Sequence, residues 1–326
     1  MDNIVLFPKR NNKNIKLAYD AFEAQHYEEA RQRLEALVEN DIHSFEIHVK
    51  LIISLMKIQQ FHVAKEYAFD FLDLYSGDQY ITIAEMCIQI YFELNDYSNA
   101  RMLINEVLEM DVPFEFREKI QMLAAICYEQ DVLNGKKILA ALEQAYKEQN
   151  YVDQWRLMYK WKSLHIKPDQ QLATYLQHDA IHPMIKTDIL LEFIKHSFSE
   201  PIKINKFNQV MQIVPNDISY VWEQAYLEKL ISSMEFVEQK DPTLFNIIEN
   251  LVYHYFYVLF PFEPGQDQFE ALQRAFYIAG RNHLVLQEVE ELVDSNIATH
   301  IENIQTCHYL YMSVHPESDL GSIFGR

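Results

Sequence analysis

Apolar residues in the first half of the chain recur at offsets that fall on one face of a helix. Three segments carry the same pattern: HYEEARQRLEAL (26–37), QFHVAKEYAFDF (60–71) and DYSNARMLINEV (96–107). An aromatic opens each one, at Tyr27, Phe61 and Tyr97. Three residues on stands a small one, at Ala30, Ala64 and Ala100. Apolar residues follow at Leu34, Ala68 and Ile104, and again at Leu37, Phe71 and Val107. Offsets of three, seven and ten align all four positions on a helix. The small residue lets a neighbouring helix approach closely, and the aromatic fills the space beside the preceding turn. A fainter fourth copy, DVLNGKKILAAL (131–142), places Val132, Gly135, Leu139 and Leu142 at the same positions. An apolar helix is predicted before each copy, at 15–24, 45–58, 81–94 and 116–130. One such pair cannot bury its apolar face alone, so the pairs must stack.

The alanine spacings of 34 and 36 residues, with Gly135 a further 35 on, bring the segment near 11–148 into resemblance with the tetratricopeptide repeat (TPR) family. The resemblance rests on Leu17, Ala18 and Ala21 in the first helix of copy one and on Tyr27, Ala30, Leu34 and Leu37 in the second. The usual Gly and Trp of the first helix are missing, and larger Ile52, Ile88 and Leu123 stand at the usual small position. The resemblance implies a right-handed solenoid with copies near 11–44, 45–80, 81–115 and 116–148. It also implies that the first helices line a concave groove able to hold a peptide or a partner helix. The groove positions would be Ile15, Tyr19 and Phe22; Glu46, Val49, Ile53 and Met56; Glu85, Gln89 and Phe92; and Ile120, Ala124 and Tyr128. Glu46, Val49 and Glu85 stand where some such domains grip a terminal carboxylate with Lys, Asn and Arg. That clamp is therefore not expected. The mix of aromatics, aliphatics and acids suits an apolar helix or strand carrying basic residues. The lead NIVLF (3–7) is a candidate to cover the first repeat.

A degenerate fifth pair is expected over 151–180, which closes a first domain at 1–180. The second domain, 181–326, opens with HPMIKTDILLEFIKHSF (182–198). EPIKINKFNQVMQIVP (200–215) then alternates with period two between two prolines, which predicts a β-hairpin near 201–214 with Asn208 in a left-handed turn. Helices are expected over 217–237 with Asp217 as N-cap, over 241–260 from an Asp-Pro start, over 268–280 with Gly280 as the stop, and over 285–314. The fold class is thus all-α: a TPR-like helical-repeat solenoid followed by a helical domain with one small hairpin. HPMIKT, the hairpin and DPTLFNIIENLVYHYFYVLFPF (241–262) also resemble TPR-containing proteins of Gram-positive bacteria. That resemblance implies a cytoplasmic scaffold or regulator.

Composition narrows the function. Only 6 residues are Gly, so tight turns and phosphate loops should be scarce. The net charge of −20 opposes nucleic acid and anionic membranes as partners. Cys87, Cys127 and Cys307 lie far apart in apolar settings, as buried thiols of a reducing compartment do. No signal peptide or membrane span is expected. HDAIH (178–182) resembles a two-histidine zinc helix, but Pro183 pushes His182 out of the α region. His182 therefore reads as a cap, and no metal or cofactor is expected. GxxxxGK[ST], GxGxxG and GxSxG are absent. These observations predict a non-catalytic adaptor, scaffold or regulator that binds protein and is compatible with homo-oligomers. A ligand- or peptide-sensing regulator is the alternative, and a metal-dependent hydrolase the least supported.

Overall fold

The computed structural model describes residues 8–284 and 294–314. It is all-α with one two-stranded sheet. The helices are α1 (Pro8–Glu23), α2 (Tyr27–Val38), α3 (Phe45–Lys57), α4 (Phe61–Leu72), α5 (Gly77–Glu93), α6 (Tyr97–Leu108), α7 (Phe114–Lys147), α8 (Tyr151–Lys162) and α9 (Gln170–Tyr175). They continue as α10 (Pro183–Lys195), α11 (Ala225–Ser232), α12 (Glu235–Glu238), α13 (Pro242–Leu259), α14 (Phe269–Leu284) and α15 (Ser295–Met312). Strands β1 (Ile202–Lys206) and β2 (Gln209–Ile213) follow α10. The chain forms two compact units, 1–133 and 134–326, and the division falls inside α7.

In the first unit each helix from α1 to α6 packs on the next, and α3 also touches α1 and α5. Ala30, Ala64 and Ala100 have no exposed surface, so all three repeat alanines sit at helix contacts. Leu34, Ala68, Ile104, Leu37, Phe71 and Val107 complete the buried face. Phe22 meets Tyr27 edge-on at 5.7 Å across the α1–α2 turn, and Phe92 meets Tyr97 at 5.6 Å across the α5–α6 turn.

The turns depart from expectation. The shortage of glycine does not suppress left-handed residues: Gln25, Asp41, Gln59, Asn95, Gln149 and Ser197 all have positive φ. Each closes a helix. At α1, Gln25 N–H donates to Phe22 C=O and His26 N–H to Ala21 C=O, both at 2.9 Å. The same pair of bonds recurs after α2, α3, α5, α7 and α10. This is the Schellman arrangement, which satisfies carbonyls that the helix end leaves open. A non-glycine left-handed residue costs about 1–2 kcal/mol. Two recovered hydrogen bonds, at about 1 kcal/mol each, offset that cost.

The fourth copy is corrected. No turn forms at 130–131, and α7 runs unbroken through it. Cys127 and Val132 stand where the α1–α2 and α5–α6 turns have two rings and the α3–α4 turn has Met56 and Phe61, so no ring stands on either side here. Asp131, at the position from which Asp96 caps α6, is buried with Oδ2 3.5 Å from Arg101 Nε. Gly135 is nevertheless a close-approach site. A Cβ there would lie 2.5 Å from Ile166 Cδ1.

In the second unit α10 is buried along nearly its whole length and contacts α8, α9, α13 and α15, while α13, α14 and α15 pack on one another. The hairpin forms as predicted, with Ile202 opposite Ile213 and Lys206 opposite Gln209. Phe207 and Asn208 both take positive φ, the requirement of a two-residue type I′ turn. Ile202, Ile204 and Lys206 face inward. Lys206 Nζ donates to Thr187 Oγ1 at 2.6 Å and to the Val258 carbonyl at 2.9 Å, while Thr187 donates to the Tyr257 carbonyl.

Two boundaries are corrected. The stretch 217–237 is not one helix. Pro215–Asp217 and Val221–Glu223 are 3-10 turns, and α11 begins only at Ala225. Tyr220 stacks on Trp222 at 4.9 Å, and Tyr220 N–H donates to the Glu223 carboxylate, which holds the chain out of the α conformation. Gly280 does not stop α14, which continues to Leu284. Its missing Cβ makes room for α13, since an added one would fall 2.5 Å from Ile248 Cγ1 and 3.2 Å from Leu244 Cδ1. Residues 285–293 of the last predicted helix lie outside the described residues, as do the lead 3–7 and the tail from 315. Among the described residues no helix is long and apolar enough to cross a membrane.

Gly280→Ala would gain about 1 kcal/mol of helix propensity but must displace α13. Urea unfolding should show a net loss of about 1–2 kcal/mol. A stabilised variant would contradict the packing role.

Candidate protein-binding face of the first helices

The proposed groove positions on α1, α3 and α5 fall into two groups. Tyr19, Phe22, Val49, Ile53, Met56, Glu85 and Phe92 are half-buried, whereas Glu46 and Gln89 are exposed. Tyr19, Phe22, Val49, Met56 and Phe92 rest against the core of the first unit. On α7, Ile120 is fully buried within that core and offers no surface to a partner. Tyr128 is exposed, with the Arg101 guanidinium 5.2 Å from its ring centroid. Of the repeat-packing positions, the small residues Ala30, Ala64, Ala100 and Gly135 are buried, and the rings of Tyr27, Phe61 and Tyr97 are half-buried beside the turns.

Lys50 joins several of these groups. Its Nζ lies 4.3 Å from the Phe22 ring centroid, 5.0 Å from that of Tyr19, 2.8 Å from Glu23 Oε1 and 3.8 Å from Glu46 Oε1. Glu85 is paired with Lys119 of α7. Neither lysine was among the sequence candidates. Lys50 stands four residues after Glu46, and Lys119 stands 34 after Glu85, one repeat on. Those spacings were the available signal. The pairs neutralise acids that the sequence reading offered to basic residues of a partner. Exposed ion pairs are worth only about 0.2–1 kcal/mol, so a partner can displace them.

The HDAIH segment is resolved by its backbone. His182 is the N-cap of α10, with Nδ1 accepting from Met184 N–H at 3.3 Å and Pro183 in the first turn. His178 is exposed and stacks on Tyr146 at 5.2 Å. Among the described residues no group of three or more His, Cys, Asp or Glu could hold a metal ion. Cys87, Cys127 and Cys307 are free and buried, and burial pushes each thiol up.

The fold and the repeated alanine seam define a TPR-like helical-repeat protein. The chain is 24% identical over 308 residues to the TPR repeat-containing protein YsoA of Bacillus subtilis (strain 168), a similarity that covers 89% of each chain. No family model and no solved structure matches it.

The buried cap makes a pH prediction. Burial, then the nearby Lys206, pushes the His182 imidazole down to about 4. The folded state keeps it neutral where the unfolded chain takes a proton, so stability falls as pH drops from about 6.5 towards about 4. His182→Asn keeps a capping side chain without the titration. Between pH 7 and pH 4.5 the variant should lose about 2 kcal/mol less than the wild type in urea unfolding. Equal losses would contradict a neutral buried His182.

Proposed function

We propose that this chain is a non-catalytic adaptor or regulator of the cytoplasm that binds a partner peptide or helix along the exposed side of α1, α3 and α5. Similarity to a TPR repeat-containing protein supports a protein-interaction role in general. The observation that carries the finer reading is the row of half-buried apolar side chains Tyr19, Phe22, Val49, Ile53, Met56 and Phe92 on first helices whose opposite faces already form the core. Such a row lets a partner bury apolar surface without any rearrangement of the repeats. Glu46, Gln89 and the lysine-paired Glu23 and Glu85 supply a polar surround. The net charge of −20 favours a partner segment that carries basic residues.

Phe22 and Phe92 also brace their turns, so Ile53 and Met56 are the cleaner probes. Affinity capture with the full chain should retain a discrete partner. Ile53→Glu and Met56→Glu should release it, weakening binding about tenfold or more while the protein still melts cooperatively. The substitution Ala36→Glu on the exposed side of α2 serves as control. Retention of the partner by both variants, or its loss with Ala36→Glu alone, would contradict this face.

A further inference from the structure

A pocket of about 390 Å³ opens in the second unit between the hairpin turn, the C-terminal end of α13, the loop 262–265 and α15. Its size is that of a small-molecule site. Phe207, Leu259, Phe262 and Pro264 supply apolar walls, and Tyr255, His300, Lys206 and Cys307 line it together with neutral amide and hydroxyl side chains.

The polar groups here are unusual for a packed interior. His300 is 6% exposed, yet neither Nδ1 nor Nε2 has a hydrogen-bond partner among the described residues. Tyr255 stands on the same lining, and its side chain is 5% exposed. A buried polar group left unpaired costs about 1–3 kcal/mol, so the bare ring nitrogens of His300 on the pocket wall call for an occupant that pairs them. Lys206 is 3% exposed, and its Nζ bonds only to the neutral Thr187 and Val258 oxygens, with no carboxylate in hydrogen-bonding reach among the described residues. Burial penalises its charged form and lowers its pKa well below the usual lysine value. Glu263 is the one anionic side chain on the lining, and it is exposed. The enclosed part of the site therefore holds donors, and an amine whose charged form lacks a counter-ion, with no anion to meet them.

We propose that this pocket binds a small carboxylic acid with an apolar body. The carboxylate accepts from the Tyr255 hydroxyl and a His300 ring N–H and favours the charged form of Lys206, while the body lies against Phe207, Leu259 and Phe262. A neutral ligand of the same shape supplies no counter-charge for Lys206, and a cation further disfavours its charged form. This site is independent of the protein-binding face on the first helices.

The test titrates the full chain calorimetrically with benzoate, phenylacetate and 3-phenylpropionate, and with phenylacetamide and phenethylamine as the neutral and cationic counterparts. At least one acid should bind with a millimolar or tighter Kd, the amide about tenfold or more weaker, and the amine not at all. Tyr255→Phe removes only the hydroxyl, and His300→Phe replaces the two unpaired nitrogens with carbon. Both should melt cooperatively, His300→Phe at or above the wild-type temperature, and bind the acid about tenfold more weakly. The proposal is overturned if no acid binds at about 10 mM, if the amide or the amine matches the acid, or if both variants bind as the wild type does.

Discussion

The close approach of helices at Ala30, Ala64 and Ala100 is the constraint on which the first unit depends. Each is fully buried. A larger side chain there would push two helices apart, and the whole row of contacts at Leu34, Ala68, Ile104 and their neighbours would loosen with it. Because the second helices meet the core through these small residues, the first helices settle with one side inward. Tyr19, Phe22, Val49, Ile53, Met56 and Phe92 are left partly open as a consequence of that seating. The candidate binding face is thus a product of the packing and not an addition to it.

Turn closure is the second determinant. Gln25, Gln59 and Asn95 accept a left-handed conformation that glycine takes more cheaply, and they are repaid by the two backbone bonds that end each helix. Where neither side of the turn carries a ring, at Cys127 and Val132, the helix does not break and α7 carries on. The repeat period was legible from the alanines alone. The loss of the fourth turn was not, because Gln130 is a residue type that closes α1 and α3 at the equivalent position. What differs is the contact across the turn and the sideways pairing of Asp131 with Arg101, both tertiary facts.

The second unit shows the same division. The hairpin could be read from alternation, since Ile202 and Ile204 are inward by parity, and the Pro183 rule placed His182 at a helix start. Lys206 shares the parity of the two isoleucines, so its inward position was also available. Its partners, the Thr187 hydroxyl and the Val258 carbonyl, come from distant segments and were not. Gly280 misled because glycine serves two physical purposes, ending a helix or admitting a neighbour, and only the position of Ile248 decides between them. The unpaired His300 ring and the Tyr255 side chain beside it on the pocket lining carry no local pattern at all. Their significance arises only when α13 and α15 meet.

A glutamate scan of α1 to α6, read by the urea midpoint of the full chain, tests the account most directly. Glutamate at Ala30, Ala64 or Ala100 buries a charge at a helix contact and should abolish cooperative unfolding of the first unit or cost about 3 kcal/mol or more. At Tyr19, Ile53 and Met56 the same change should cost about 1 kcal/mol or less beyond its effect at exposed controls. A scan in which the alanines tolerate glutamate, or in which Ile53 and Met56 prove as intolerant as the alanines, would contradict both the seam and the open face it creates.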